Sequence, residues 1–371
     1  MAAEKIFPRH LKQRGKEVLF LMSKLSIFGA GSWGTALAHV LSSNGHDICL
    51  WCRRSQQARA ITATGKNPDY LSSVNLSPHI MATSSLAEAA IFSQRWILAV
   101  PSQGVRHLLE ELKPLAPQNV KLCNLAKGVE ISSGKLLNKV CHEALPGGVY
   151  SVLSGPSHAE EVVQGLPTAV SVASTLLEEA FEWQVLIGKE AFRIYTSQDV
   201  TGVEIGGAMK NVIAIAAGAS SGMSLGDNAK ATLITRGLAE ILRLGIVLGG
   251  NPLTFSGLAG AGDLMVTCYS EHFRNFRLGK AIGEGMKVEE ALASLGQVAE
   301  GYYTAKALES HRRRYGVELP ISTGVYRVLY EGASPHEVLE ELLLREQKPE
   351  LSPEMVRKIL EKIAKQLQAT P

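Results

Sequence analysis

Gly29-Ala30-Gly31-Ser32-Trp33-Gly34 has the spacing G-x-G-x-x-G, and its chemistry belongs to the backbone. When such a run follows a strand and opens a helix, the first glycine makes a tight turn. The second lets the main chain approach a pyrophosphate, and the third lets helix and strand pack closely. Free N–H groups at the helix N-terminus then face the phosphates. A plain glycine-rich turn is the bland alternative. About twenty residues further on, an NAD site usually carries an Asp or Glu that holds the ribose 2′-hydroxyl. Here Asp47 stands at the wrong end of the second apolar run, which closes on Trp51-Cys52-Arg53-Arg54. A guanidinium at that place suits a 2′-phosphate, so the pattern favours NADP over NAD. The alternative is a solvated arginine pair. Lys210 is the other conspicuous group, a lysine in the otherwise apolar stretch Ile205 to Ala219. Desolvation there would lower its pKa toward the range useful for proton transfer. A lysine snorkelling from a core helix fits the same pattern.

Elements must position these groups. Short β-rich runs recur at Leu25–Phe28, Asp47–Cys52, Arg95–Val100, Val120–Leu125, Tyr150–Leu153, Ala169–Ala173 and Phe192–Tyr195. Amphipathic segments such as Gly34–Asn44 and Gln103–Lys113 lie between them. Strand–helix alternation predicts an α/β fold with a parallel sheet and right-handed crossovers. Beyond about residue 198 the texture becomes helical, at Val200–Ser220, Ala229–Leu248, Arg274–Glu284, Val288–Leu295, Tyr303–Tyr315, Ile321–Tyr330 and Pro335–Leu344. The expected organisation is an N-terminal Rossmann-type parallel sheet domain (22–198) followed by an all-α C-terminal domain (199–345). Residues 346–371 form an amphipathic helical tail, with Ser352 as N-cap, Pro353 at N1 and a stripe of Met355, Ile359, Leu360, Ile363 and Leu367. Residues 1–21 read as a disordered extension or a mis-assigned start before Met22.

Composition sets the outer limits. The 371 residues are 46% apolar and 20% charged, with a net charge of +3. These values place the chain among globular proteins and give no footprint for nucleic acid. The longest apolar runs, such as Val212 to Ala219, fall far short of the ~20 residues that span a bilayer. Five cysteines make no disulfide framework, and Cys49 and Cys52 should face opposite sides of one strand. No metal site is expected, and the sparse cysteines fit a reducing cytoplasm. His39 and His107 read as packing or surface residues, and His311-Arg312-Arg313-Arg314 as a solvated helix face.

Ordered blocks then carry a resemblance. The opening Gly29 to Ala38 is similar to that of bacterial NAD(P)-dependent glycerol-3-phosphate dehydrogenases. Asn67-Pro68-Asp69-Tyr70-Leu71, Val100-Pro101-Ser102, Ala126-Lys127-Gly128-Val129-Glu130 and Leu153-Ser154-Gly155-Pro156-Ser157 match in the same order. So do Gly206 to Ala214, Ile234 to Glu240, Gly260 to Leu264 with Thr267-Cys268, and Gly296 to Gly301. The likeness covers roughly residues 24–345. It implies hydride transfer between NAD(P)H and dihydroxyacetone phosphate to give sn-glycerol 3-phosphate, a phospholipid precursor. It also implies a homodimer.

The resemblance implies roles as well. Lys210 is the proton-transfer lysine, Lys127 the substrate lysine and second cation, and Asp263 the carboxylate of the pocket. Asp263 also reads as a helix N-cap. Gly155, Ser157, Arg274 and Asn275 are implied at the substrate, with Arg274 forking its phosphate. Gly29, Gly31, Ser32, Trp33, Gly34, Arg53, Arg54, Lys127, Ala159, Arg274, Val298 and Glu300 are implied at the cofactor. The chain departs from the pattern at one of these places: relatives generally carry Ser-Arg-Asn where it has Phe273-Arg274-Asn275. Two other readings stay open. One is a related two-domain dehydrogenase acting on another small hydroxy acid, and the other is a non-catalytic NADP-sensing module.

Overall fold

A computed structural model of the protein describes residues 22–350 and 353–369. Eight strands form a single sheet: β1 (Lys24–Phe28), β2 (Asp47–Trp51), β3 (Ile80–Thr83), β4 (Arg95–Leu98), β5 (Lys121–Asn124), β6 (Val149–Ser154), β7 (Thr168–Ser174) and β8 (Phe192–Ser197). Their order is β3-β2-β1-β4-β5-β6-β7-β8. The first six are parallel, with Ser26 opposite both Cys49 and Trp96. They form the doubly wound order of dinucleotide-binding sheets. Seven helices flank the sheet: α1 (Ser32–Ser43), α2 (Ser55–Thr64), α3 (Leu86–Phe92), α4 (Val105–Leu112), α5 (Leu137–Ala144), α6 (Ala159–Val163) and α7 (Leu177–Ile187).

The expected parallel sheet is present, and one strand pair within it departs from parallel. β7 runs antiparallel to β6, with Val152 opposite Ala173, and β8 follows β7. The reason is the connection after β6. It is spent on the loop before α6 and on that five-residue helix, which packs on α1. The chain therefore re-enters the sheet at the edge where β6 left it, without a full crossover. β3 is an element that the sequence pattern did not mark.

Alternation along β1 divides the sheet's two faces. Leu25 and Ile27 join one core cluster, whereas Phe28 joins the other with Trp96 and Leu98. Cys49 and Cys52 fall in different clusters, so their side chains do point to opposite faces. All five cysteines are buried and free. Burial pushes the Cys49 and Cys52 thiols up to about 12, which makes them packing residues and not nucleophiles.

The sheet ends at Ser197, and the long helix α8 (Val200–Gly222) begins three residues later. α9 (Gly226–Val247), α10 (Pro252–Phe255), α11 (Asp263–Tyr269), α12 (Arg274–Gly283), α13 (Val288–Ser294), α14 (Glu300–Tyr315), α15 (Pro320–Tyr330), α16 (Pro335–Leu343) and α17 (Pro353–Ala369) complete the chain. By length and hydropathy α8 could cross a bilayer, yet 89% of its apolar window is buried in the protein. It is the core of the helical half and is wrapped by α9, α11, α12 and α14. α17 touches α9 and α10, and Lys362 Nζ donates to the Gly249 carbonyl at 2.9 Å. The expected Ser352 cap, the side chains of Met355 and Leu367, and residues 1–21 lie outside the described residues. The basic run on α14 is not simply a solvated face. His311 is buried, and Arg312 and Arg313 both pair with Glu309 at 2.7 Å.

Glu204 clamps the two halves together. It lies on α8, and its Oε1 accepts from the Asn138 N–H of α5 at 2.8 Å and from the Tyr150 hydroxyl of β6 at 2.5 Å. Its Oε2 is buried with no partner among the described residues. Burial pushes this carboxyl up to about 7. A folded-state pKa above the unfolded value means stability that is full below about pH 4.5 and lost as pH rises through about 7. Glu204→Gln keeps an acceptor for both donors and removes the ionisation. The variant should match the parent near pH 5 and be more stable at pH 8 by up to about 3 kcal/mol. Thermal melts at the two pH values check this, and an equal gap at both would reject it.

Candidate active site

The loops leaving β1, β2, β4, β5 and β6 open at one edge of the sheet, the edge where open α/β sheets bind ligands. At the first of them the glycines divide their roles. A Cβ at Gly29, which has φ +120°, would lie 2.5 Å from the Ala99 carbonyl oxygen. A Cβ at Gly34 would strike the Gly29 carbonyl. A Cβ at Gly31 would meet no protein atom within 4 Å, so only this glycine opens onto free space. Gly31 is also the N-cap of α1 and supplies no side-chain cap, so the first amides of that helix face outward. The cradle therefore fits a pyrophosphate.

Two residues without an assigned role hold this cradle. Gln57 Nε2 and Asn67 Nδ2 both donate to the Ala30 carbonyl, at 2.9 and 3.0 Å. Asn67 also donates to Thr35 Oγ1 at 2.8 Å. Asn67 lies in a block that the resemblance marked, but the two hydrogen bonds it donates cross more than thirty residues of sequence. Trp33 packs edge-on against Phe192, with ring centroids 6.3 Å apart. Arg53 and Arg54 are exposed just beyond β2, and Arg54 pairs with Asp69 at 2.7 Å.

The second feature is a buried charge cluster where the sheet meets the helical half. Asp263, the first residue of α11, is fully buried between two ammonium groups. Its Oδ1 accepts from Lys210 Nζ, and its Oδ2 from Lys127 Nζ at 2.6 Å. Lys210 Nζ also donates to Thr267 Oγ1 at 2.8 Å, and Lys127 Nζ to the Gly155 carbonyl at 3.1 Å. Burial pulls Lys210 down to about 7, and Lys127 lowers it further, against the pull of Asp263. Burial raises the Asp263 carboxyl, yet the two lysines together hold it below the usual range. The N-cap reading of Asp263 does not apply: Gly262 is the cap, and the carboxylate turns to the lysines.

The local fold explains why these groups meet. A single π-turn over Leu258–Gly262 delivers Asp263 to α8, and such turns concentrate at functional sites. Gly207 lets α8 approach the sheet, since a Cβ there would lie 2.7 Å from Ser154 Oγ and 3.5 Å from the Lys127 side chain. The loop carrying Lys127 is fixed twice. Arg106 forks onto Glu130 at 2.8 and 2.9 Å, and Asn211 Nδ2 donates to the Lys127 carbonyl at 3.1 Å.

The remaining expected site residues line the same region. Ser157 Oγ donates to the Gly155 carbonyl at 3.0 Å, and Ala159 is buried at the start of α6. Arg274 is exposed at the first position of α12 and touches Gln297 Oε1 at 3.3 Å. The amide of Asn275 is turned inward, donating to Asn211 Oδ1 and accepting from the Gly301 N–H, each at 2.9 Å. Glu300 opens α14 and accepts from the Ser102 N–H at 2.8 Å and from its hydroxyl, which ties the loop after β4 to the helical half. Val298 is exposed nearby in sequence. Among the described residues no His, Cys, Asp or Glu cluster could hold a metal.

Residues 24–180 match the family model of the NAD-dependent glycerol-3-phosphate dehydrogenase N-terminus, and residues 199–340 that of its C-terminus. The chain is 47% identical over 333 residues to a glycerol-3-phosphate dehydrogenase [NAD(P)+] of Lysinibacillus sphaericus, covering 89% of this chain and 98% of the relative. It is 45% identical over 327 residues to the Bacillus subtilis enzyme of that name, covering 87% and 95%. A crystal structure of glycerol-3-phosphate dehydrogenase from Coxiella burnetii aligns with a TM-score of 0.85 at 37% identity, over 87% of this chain and 99% of that one.

Proposed function

We propose residue roles for a chain that belongs to the NAD-dependent glycerol-3-phosphate dehydrogenase family. It interconverts dihydroxyacetone phosphate and sn-glycerol 3-phosphate with NAD(P)(H). The observation that carries the residue assignment is the buried Lys127–Asp263–Lys210 cluster beside the glycine cradle. The bound nicotinamide supplies or accepts the hydride at C2 of the substrate. Lys210, as ammonium, donates a proton to the C2 oxygen during reduction. As free amine, it takes that proton back during oxidation. A pKa of about 7 keeps both forms populated near neutral pH. Lys127 adds positive charge where the oxygen becomes an alkoxide, and Asp263 orients both lysines. Arg274 and the uncapped first turn of α12 hold the phosphate, and the Gly155–Ser157 loop serves the substrate. Glu300 and Asn275 act by joining elements: the one ties α14 to the loop after β4, the other ties α12 to α8 and α14. A site with this many retained groups is built for turnover and not for sensing alone.

The exposed arginines beyond β2 support a preference for NADP, with Arg53 as the main contact because Arg54 already pairs with Asp69. Five buried, free cysteines support a reducing cytoplasm. The family likeness supports a homodimer and a supply of sn-glycerol 3-phosphate for phospholipid synthesis. Oxidation of NADPH and of NADH by dihydroxyacetone phosphate, run in parallel, tests the reading. Turnover should be faster with NADPH. Arg53→Ala combined with Arg54→Ala should weaken NADPH by about 10- to 100-fold and NADH by less than about twofold. An equal loss for both cofactors rejects the arginine assignment, and no turnover with either rejects the catalytic one.

A further inference from the structure

The ring of Phe273 lies over the charged end of Lys210, with Nζ 5.5 Å from the ring centroid. The same ring meets His158, centroid to centroid at 5.4 Å, and His158 meets His272 at 5.3 Å. His158 stands in the loop leaving β6, whereas Phe273 stands at the N-cap of α12. The contact therefore crosses from the sheet half to the helical half above the buried lysine. Phe273 gives α12 no side-chain cap, and its part-buried ring also packs against the core of the helical half. The other groups around Lys210 are Asp263, Thr267 and Cys268 on α11 and Lys127 after β5. Beyond the ring lie His272, Arg274 and His158, the last paired with Glu160 at 3.1 Å.

We propose that Phe273 is a positioning residue for Lys210, covering its ammonium with an aromatic face and tying that cover to the sheet half through His158. This rests on the reading of Lys210 as the proton-exchanging group. Two effects of the ring oppose each other. Its quadrupole attracts a cation within about 6 Å and favours the ammonium. Its bulk keeps water away, which disfavours the ammonium. Substitutions separate the two. Leucine keeps the bulk and loses the quadrupole, so Lys210 should release its proton at lower pH. Serine loses both and admits water; burial is the largest influence on Lys210, so the amine should hold its proton to higher pH. Tyrosine keeps both.

The experiment is the pH dependence of dihydroxyacetone phosphate reduction by NADPH, from about pH 6 to about pH 9. Reduction needs the ammonium, so the rate should fall on the alkaline side of about 7. Phe273→Leu should move that limb down by about half a pH unit. Phe273→Ser should move it up, and Phe273→Tyr should leave it in place. NADPH affinity, measured by fluorescence on each variant, should stay within about twofold and shows that each is folded. Opposite shifts for leucine and serine support the assignment. Limbs that do not move, or that move together, overturn it while leaving Lys210 in its role. A parent enzyme without the limb, or a Lys210→Met variant that keeps it at near-parent rates, removes the Lys210 reading and this inference with it.

Discussion

Lys210→Met is expected to lower kcat by about three to four orders of magnitude while NADPH still binds. The substitution removes the group that exchanges a proton with the C2 oxygen, together with a positive charge beside the developing alkoxide. Methionine has a similar length and no charge, so it suits a position that is buried at every turn of α8. Asp263 keeps a partner, because Lys127 still donates to its Oδ2 at 2.6 Å. The fold should therefore survive, at some cost in stability because Asp263 Oδ1 loses its donor. The cofactor cradle is built from Gly29, Gly31 and Gly34 with Gln57 and Asn67, none of which touches Lys210. Steady-state rates and NADPH fluorescence titration on the same preparation separate the two effects. Turnover within about tenfold of the parent would reject Lys210 as the acid and base. Loss of NADPH binding would mean that the variant had disturbed more than the chemistry.

The sequence carried the sheet wherever the pattern was local. β1 and β2 are short, continuously buried runs, and the glycine run marked the strand-turn-helix between β1 and α1. β3 escaped notice because it has four residues at the sheet edge, with exposed Met81 between Ile80 and Ala82. The direction of β7 was not legible either, since its residues would read the same in a parallel strand. The site was readable in its charged members, because Lys127, Lys210 and Asp263 sit in distinctive local runs. Its supports were not. Asn67 reaches Ala30, Asn211 reaches the Lys127 carbonyl, and Ser102 reaches Glu300 across 198 positions. Such bonds depend on tertiary approach and leave no periodic trace. Phe273 shows the limit most clearly: in the sequence it is a departure from a pattern, and in the fold it is the wall over Lys210.

Asp263→Asn should cost both activity and stability, with a stability loss that depends on pH. Among the described residues the carboxylate is the only negative charge bonded to either lysine, and it serves both at once. An asparagine can accept from one lysine, but it turns an N–H toward the other. Removing one partner of a buried ion pair costs about 3–5 kcal/mol when the remaining charge stays ionised. Lys210 has a way out, since its pKa is already pulled down to about 7 and falls further once the carboxylate is gone. The sign follows from that. A lysine whose folded-state pKa lies below its unfolded value loses stability as pH falls through the gap between them. In the parent this loss ends near 7, whereas in the variant it continues below. The gap in melting temperature should therefore widen from pH 8 to pH 6. Turnover at neutral pH should drop by about two to three orders of magnitude, because the proton donor is now mostly the neutral amine and both lysines have lost their orienting partner. Adding Lys210→Met to Asp263→Asn gives the decisive comparison. With one fewer uncompensated charge, the double variant should melt above Asp263→Asn at pH 6 while regaining no activity. Additive losses in the double variant, or an Asp263→Asn protein that melts like the parent at pH 6, would mean that the carboxylate is not what holds two ammonium groups in this buried site.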